Sequence, residues 1–588
     1  MIVILISFGF STEKISKDLI YELNKKFSNE KVNVIITSNK SLPFEILTEV
    51  NGKKYYKAKI SKNTILSLAK DNSINKIFLD KKYQIFRIES IPLMFIDVAR
   101  NQFLVNGSNI NISVIDTGIY PHYELKDRII IQKCFVSSGL YKCPPNNTTE
   151  SDNATDDEGH GTHVAGIAAG LFGVANNASI FSIKALNING SGTTSDIIKA
   201  INFSIENKAN IISMSFGVPN YEFNDCYEDS VAVLIDDFTK EGKALFIVAA
   251  GNNGTTNSTI ASPACSKLAL AVGALDKSKN LASFSSRGPT TDNRIKPDLV
   301  AIGINVNSTY LNDGYKVLSG TSMATPFVSG IASLLYGFYF KKFSELPNPN
   351  LIKAILVTSI DLTPLLTNGF TQRNNYFGSG LINANESLRI LDNSYFKTHN
   401  ASKNFYLFVN ENNATIKLTL YWTSNNDLNL TFDNITFNYS SNDNLEQIFA
   451  YNYSKDIYEI KVQNPFNDTF YLISNFKILD NYFIIESPSN KTYNLSQVSF
   501  NITISSKLVE NLQLFVDGKG FTLNNDSKIH YYNISNISDG THNATFVINN
   551  ESHTIIFSID TEPVIINLTS PLNNTTYNSS EIFVNFTS

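Results

Sequence analysis

Three short segments of this chain carry side chains able to do acid–base or nucleophilic chemistry. In Val114-Ile-Asp-Thr-Gly118 an apolar run ends on a carboxylate. Asp-Thr-Gly is also the triplet with which aspartic proteases build a carboxylate dyad, but a dyad needs two copies, and no second Asp-Thr-Gly or Asp-Ser-Gly occurs here. Alone, Asp116 reads first as a strand-end turn residue. Asp157-Glu-Gly-His-Gly-Thr-His-Val-Ala-Gly166 opens a helix, with glycines on both sides of His160 that would let a substrate backbone approach closely. His160 and His163 are spaced for a shared metal. Zinc, however, takes three or four protein ligands, and neither an H-E-x-x-H arrangement nor a cysteine cluster accompanies them. The chain has 7 histidines, so two within one helix start argue for a role beyond surface polarity, with His163 the structural one of the pair. Ser319-Gly-Thr-Ser-Met-Ala-Thr-Pro326 puts Ser322 at the start of a small-residue helix, where unpaired N–H groups and the helix dipole favour developing negative charge. An N-cap is the plainer reading of such a serine, and the segment is not the G-x-S-x-G elbow of a lipase.

The elements that must hold these segments belong to an α/β region. Between about residues 90 and 393, strands such as Ile112–Ile115 and Ile211–Ser215 alternate with helical runs such as Thr162–Leu171 and Met323–Tyr336, the pattern of a parallel sheet covered on both faces. Upstream, residues 12–90 are Lys-rich and read as a small α+β unit: a helix over Ser16–Phe27, strands at Val32–Thr37 and Tyr55–Ile60, a helix Lys62–Asp71 and a strand Ile74–Leu79. Downstream of 395 the helical period stops. Alternation in Ala414–Trp422, Asp427–Phe432, Ile457–Val462 and Phe470–Ile478 predicts a β-sandwich over 400–480. Ser487-Pro-Ser-Asn-Lys-Thr-Tyr-Asn494 then recurs as Ser570-Pro-Leu-Asn-Asn-Thr-Thr-Tyr-Asn578, which predicts an immunoglobulin-like module over 484–565 and the start of a second, truncated one at 566–588. One strand cannot bury its own apolar face, so the natural chain is expected to continue.

Composition narrows the partners. Lys and Arg (48) nearly balance Asp and Glu (53), and a net charge of −5 over 588 residues is too dilute for a nucleic-acid binder. A 43 % hydrophobic content can fill several cores, about four at roughly 150 residues per domain. No stretch approaches the ~20 apolar residues that span a bilayer. Residues 1–11 are either a signal peptide, although without a basic leader or clear cleavage site, or a buried strand. Four cysteines are compatible with two bridges, and Asn-x-Ser/Thr triplets such as Asn147-Thr-Thr149 would suit a glycosylated surface protein, although so Asn-rich a chain produces them by chance.

Asp116, His160 and Ser322, in that order with their flanking glycines and with Ala249-Ala-Gly-Asn252 between the last two, resemble the subtilisin-like serine protease family (peptidase S8) over about residues 91–393. The resemblance implies a subtilisin-like α/β catalytic domain in which Ser322 is the nucleophile, His160 the general base, Asp116 the residue that holds the imidazole, and Asn252 the side-chain oxyanion donor. By the same likeness Ser215, Phe216, Gly217, Ala249, Ala250 and Gly251 bind substrate backbone and line an uncharged specificity pocket, which implies apolar P1 residues. Ser283-Phe-Ser-Ser-Arg-Gly-Pro289, Lys296-Pro-Asp-Leu-Val-Ala301 and Tyr376-Phe-Gly-Ser-Gly-Leu-Ile-Asn383 are similar to later loops of the family.

Residues 12–90 are similar to its inhibitory propeptide, a ferredoxin-like βαββαβ unit whose first helix would fall near Leu42–Val50; Lys81-Lys-Tyr-Gln-Ile-Phe86 would be the extended segment entering the cleft. The all-β C-terminal region is similar to β-rich domains that follow the catalytic domain in secreted proteases. Leu171-Phe-Gly-Val-Ala runs on without the inserted calcium loop, as in the proteinase K branch. The chemistry itself then needs no cofactor, and Asp298 matches a second, weaker cation site with structural calcium as its ion. The likeness pairs Cys134 with Cys143 and Cys226 with Cys265. It implies an extracellular or cell-surface endopeptidase acting on polypeptides, inhibited by its own propeptide, with cell-surface ligands for the β-domains. The competing expectation is a catalytically inactive interaction protein on the same fold.

Overall fold

The computed structural model describes the chain apart from residues 1–13, 17–18, 21–22, 24–28, 81–88, 140, 220–225, 437–442, 506–510, 527–528, 550, 562–566, 571–584 and 588. The expected signal or strand at 1–11, most of the Ser16–Phe27 helix, the Lys81–Phe86 segment and most of 566–588 lie outside the described residues. Two compact units divide at Arg87.

The first unit is one antiparallel sheet in the order β2-β3-β1-β4, made of β1 (Lys31–Ser38), β2 (Glu45–Val50), β3 (Lys53–Ser61) and β4 (Ile74–Leu79), with α1 (Lys62–Leu68) between the last two strands. Val34, Ile36, Ile65 and Ile77 are fully buried in its core. The helix expected near Leu42–Val50 is instead β2, paired with β3 from Glu45 to Val50. The local reason is Asn51-Gly52, both at positive φ (51° and 74°), the dipeptide that closes a tight hairpin with the right strand twist.

The second unit is built on a ten-stranded sheet. Its strands are β5 (Asn111–Asp116), β6 (Ile129–Phe135), β7 (Glu150–Ser151), β8 (Ser179–Lys184), β9 (Ile211–Met214), β10 (Leu245–Ala249), β11 (Leu270–Leu275), β12 (Leu299–Ile302), β15 (Ile360–Asp361) and β16 (Leu381–Ile382); the hairpin β13 (Val306–Thr309) and β14 (Tyr315–Leu318) stands apart. The order is β15-β16-β12-β11-β10-β9-β5-β8-β6-β7, parallel from β16 to β6. Strands such as β9, β10 and β11 are buried at every residue, as a sheet covered on both faces requires. Helices α2 (Ile96–Phe103), α3 (His160–Ala169) and α6 (Thr321–Phe343) pack with one apolar cluster, α4 (Thr194–Glu206) and α5 (Ser230–Lys240) with the other. The expectation that no stretch is long and apolar enough to cross a membrane is corrected by helix α6, which is so by length and composition, but 83 % of its apolar window is buried in this core. Strand order reverses at β5, whose neighbours β8 and β9 both come later in the chain, and that switch point at the carboxyl ends of the strands is where an open α/β sheet forms its crevice.

Two β-sandwiches follow. The first has sheets β17-β24-β19-β22 and β21-β20-β23-β18-β25, running from β17 (Phe396–His399), β18 (Lys403–Val409), β19 (Ala414–Trp422), β20 (Asn429–Phe432), β21 (Ile435–Thr436) and β22 (Leu445–Tyr453) to β23 (Asp456–Gln463), β24 (Phe470–Ser474) and β25 (Lys477–Leu479). The second, between Phe483 and Ile559, closes four- and five-stranded sheets over Phe500, Ile502, Phe546 and Phe557.

The first sandwich is fused to the α/β core. Its Tyr421, Leu445, Phe449, Tyr471 and Ile473 belong to the same apolar cluster as α6 and α7 (Pro349–Thr358). Polar ties cross the seam as well: Gln447 Nε2 donates to Val357 O at 2.9 Å, and Arg373 Nη1 donates to Asp443 Oδ2 at 2.7 Å with the guanidinium fully buried. Arg373 keeps Ile295 O and, at 3.7 Å, Asp298 as partners, so Asp443→Ala is expected to destabilise the chain by about 1–3 kcal/mol in denaturant unfolding, the cost of one buried charge-assisted hydrogen bond. An effect below about 1 kcal/mol would show that this pair does not secure the seam.

Candidate active site

The sequence-predicted residues meet along the carboxyl edge of the sheet. Asp116 ends β5, Ser215 follows β9, Ala249 ends β10 and Ser322 opens α6. Asp116 is fully buried; its Oδ1 accepts from Thr117 N and from His160 Nδ1, both at 2.8 Å, while Oδ2 is buried without a hydrogen-bond partner. Asp156 organises the entry to α3: its Oδ1 accepts from Glu158 N and Gly159 N, its Oδ2 from Thr162 N and Thr162 Oγ1. Glu158 Oε2 accepts from His160 N at 2.7 Å. Close packing requires the flanking glycines. A Cβ on Gly161 would lie 2.2 Å from Gly118 O and 3.2 Å from Asp116 Oδ1, and one on Gly159, at φ +108°, would strike the Tyr310 ring at 2.3 Å.

The two histidines have different environments. Burial lowers the basicity of His160, but the charge and hydrogen bond of Asp116, helped by Glu158 and Asp156, outweigh it and raise its pKa to about 9. His163 is buried, donates from Nε2 to Val306 O (3.1 Å) and Lys316 O (2.9 Å), and has its pKa lowered to about 4, mainly by burial. It is thus a neutral clasp between α3 and the β13–β14 hairpin, and the two imidazoles, each held by different partners, do not form a metal pair. If His160 is the general base, its unprotonated form grows only as pH rises through its raised pKa. The acid limb of kcat/KM is expected well above the ordinary 6.5, towards 9, and Glu158→Gln should move it down. A midpoint at or below 6.5 in the unaltered enzyme would show that Asp116 and its neighbours do not raise the basicity of His160.

Ser322 Oγ donates to Ser215 O at 2.8 Å, and Ser215 Oγ returns a bond to Ser322 O at 3.0 Å, so the serine hydroxyl is parked on β9's extension and not on His160. Asn252 is oriented by Thr321, whose N and Oγ1 both donate to its Oδ1 at 2.9 Å. That fixes which way the amide points and leaves Nδ2 on the side of Gly320, where an added Cβ would come within 3.5 Å. A pocket of about 260 Å³ is lined by Ser215, Phe216, Gly217, Ala249, Gly251, Asn252 and Ser322, and also by Pro219, Asn253, Ala261 and Thr321. Ala250 is corrected: it is fully buried, its N bonded to Val272 O and its O accepting from Ala261 N, so it supports the pocket from behind. Alternation along β10 carries the reason, since adjacent side chains leave opposite faces. Ala261 was not foreseen, because contacts distant in sequence, the Val218–Ser262 bridge and the bond from Ala261 N to Ala250 O, bring its segment to the pocket.

Asp298 is likewise corrected. Its Oδ2 accepts from Lys296 Nζ and Ala271 N, each at 2.7 Å, and Lys353 Nζ, near it, donates to Leu268 O and Ala269 O. Burial resists its ionisation, but Lys296, Lys353 and Arg373 hold its carboxyl below the usual carboxylate range. Ammonium groups occupy the place expected for a metal cation, so these residues do not fit calcium. Cys134 pairs with Cys143 and Cys226 with Cys265, at Cα separations of 5.7 and 5.8 Å. Lys184 was also missed: fully buried, it donates to Thr117 O, Leu186 O and Asp157 Oδ1 directly behind Asp116.

Residues 107–380 match the family model described as the subtilase family, Peptidase S8. The chain is 32 % identical over 373 residues to the serine protease AprX of Bacillus subtilis, covering 56 % of this chain and 78 % of AprX. It is 35 % identical over 302 residues to subtilisin DY of Bacillus licheniformis (50 % of this chain, 95 % of the relative) and 30 % identical over 393 residues to an alkaline protease of Alkalihalobacillus alcalophilus (65 % and 90 %). A hydrogen-bonded Asp–His pair at the sheet's carboxyl edge, and a helix-start serine and an oriented asparagine lining one pocket, thus coincide with extensive identity, and the chain belongs to the subtilisin-like serine protease family.

Proposed function

We propose that this chain is a secreted or surface endopeptidase that cleaves polypeptides after apolar residues and is made as an inhibited precursor. The observation that carries the reading is the Asp116–His160 hydrogen bond on the same carboxyl edge of the sheet as the pocket lined by Ser322 and Asn252. Ser322 Oγ turns from Ser215 O to attack the scissile carbonyl while His160 Nε2 takes its proton, and Asp116 stabilises the resulting imidazolium. Asn252 Nδ2, with the Ser322 N–H at the start of α6, receives the oxyanion. His160 then protonates the leaving amine, and water repeats the sequence on the acyl-enzyme. The pocket walls of Phe216, Gly217, Pro219, Ala249 and Ala261 offer no charge to a P1 side chain, so burial of apolar surface sets preference.

The two cystines favour an oxidising compartment, and the separately folded unit before residue 88 is suited to act as inhibitor and folding aid. The test is labelling of the purified chain with a fluorophosphonate, followed by peptide mapping and a cleavage profile on a peptide library. The expected result is one adduct, on Ser322, with Phe, Tyr, Leu or Met at P1. Absence of an adduct would favour an inactive interaction protein, and a profile dominated by Arg or Lys would refute the pocket assignment.

A further inference from the structure

The β13–β14 hairpin touches both sides of the catalytic cleft. On the histidine side, Tyr310 Oη donates to Glu158 O at 2.8 Å, and its ring packs against Gly159, where a Cβ would approach it to 2.3 Å. Thr309 Oγ1 donates to Thr162 O and Ser308 Oγ to His163 O, both at 2.8 Å, while His163 Nε2 donates back to Val306 O and Lys316 O. The first turn of α3 is thus bound along the length of the hairpin. On the serine side, β14 ends at Leu318, and Ser319-Gly320-Thr321 lead directly into Ser322; Asn305 N donates to Ser319 Oγ at 2.9 Å, tying the hairpin's base to that lead-in. Lys316, on β14, reaches back over Tyr310, with Nζ 4.3 Å from the ring centroid and 3.0 Å from Oη.

Resting on the triad reading above, we propose that Tyr310, clamped by Lys316, is a positioning residue that sets His160 against Ser322. The hairpin joins the two sides, covalently to Ser322 through residues 319–321 and by hydrogen bonds to the first turn of α3. The tyrosine ring fills the space above Gly159, its hydroxyl fixes the carbonyl two residues before His160, and a change in either shifts the imidazole relative to a serine tethered to the same hairpin. Proton transfer from Ser322 to His160 depends steeply on that separation, and displacements of about 1 Å originating away from the reacting atoms cost up to about 10²-fold. Neither Tyr310 nor Lys316 lines the pocket described above, so substrate binding need not change with them.

The experiment compares Tyr310→Phe, Tyr310→Ala and Lys316→Met in the full chain, with kcat expressed per site titrated by fluorophosphonate. Tyr310→Ala is expected to lower kcat by about 10²-fold and the phosphonylation rate in parallel, with KM changed less than about twofold; Tyr310→Phe and Lys316→Met, which keep the ring, should lose up to about tenfold in kcat. If Tyr310→Ala does not fold, the two milder variants carry the test. Lower thermal stability with unchanged kcat per titrated site would reduce Tyr310 to a packing role and overturn the proposal, as would a change confined to KM. Failure of the triad reading has a different signature: the unaltered chain would not label at Ser322 at all.

Discussion

Replacement of Ser322 by alanine is expected to lower kcat by about 10⁶, the magnitude that loss of the nucleophile carries in subtilisins, while leaving the chain folded. The hydroxyl makes one hydrogen bond, to Ser215 O, at the edge of the pocket. Losing it costs on the order of 1 kcal/mol, small beside the apolar burial of α6. The bonds from Thr321 to Asn252 do not involve the Ser322 side chain, so the oxyanion donors stay in place and a residual acceleration of about 10³–10⁴ over water is expected to survive. The same variant tests the precursor reading. If residues 12–90 are removed by the chain's own activity, Ser322→Ala should accumulate with that unit attached, whereas active protein should lose it near residues 84–95. Intact-mass measurement of both proteins decides. Undiminished casein hydrolysis by the variant would withdraw the nucleophile assignment, and active enzyme that retains residues 12–80 would withdraw the propeptide assignment.

The candidate catalytic side chains stand out in the sequence because each sits in a local backbone motif. Asp116 ends an apolar strand, His160 stands between glycines that close packing demands, and Ser322 opens a small-residue helix. What escaped notice depended on distant partners. Asp298 alone looks like a ligand; its meeting with Lys296, Lys353 and Arg373 is a property of the fold. Ala250 was separated from Ala249 only by the face it presents. The Asn51-Gly52 hairpin was readable from the dipeptide alone, and the expectation of a family-like helix near Leu42–Val50 obscured it. The fusion of the sandwich had a signal too. Every residue of α7, Lys353 included, is buried, and a helix apolar around most of its circumference needs a further layer on its outer side. The sandwich supplies that layer, with Tyr421 5.0 Å from the Lys353 ammonium.

Asp116→Asn is expected to cost about 10⁴ in kcat, some 5.5 kcal/mol in the barrier, without disturbing the fold. Asn is nearly isosteric. Thr117 N donates to Oδ1, which favours the orientation in which the new amide keeps its oxygen there, still able to accept from His160 Nδ1, and places its NH2 where Oδ2 had no partner. The buried geometry is therefore conserved while the charge disappears. That charge is the strongest of the influences raising the pKa of His160 against the effect of burial. Without it the imidazolium that forms as Ser322 attacks loses its stabilisation, and the barrier rises by the energy the ion pair supplied. Two readouts separate this from simple structural damage. The acid limb of kcat/KM should fall from its raised position towards or below 6.5, because the neutral base is now favoured, even as the plateau collapses. Thermal stability should change little above about pH 9, where His160 is neutral in both proteins, and fall at lower pH, where the lost ion pair would have held the protonated imidazole. A large kcat loss with an unmoved acid limb would assign Asp116 to orientation alone, and an unaltered kcat would remove it from the catalytic apparatus.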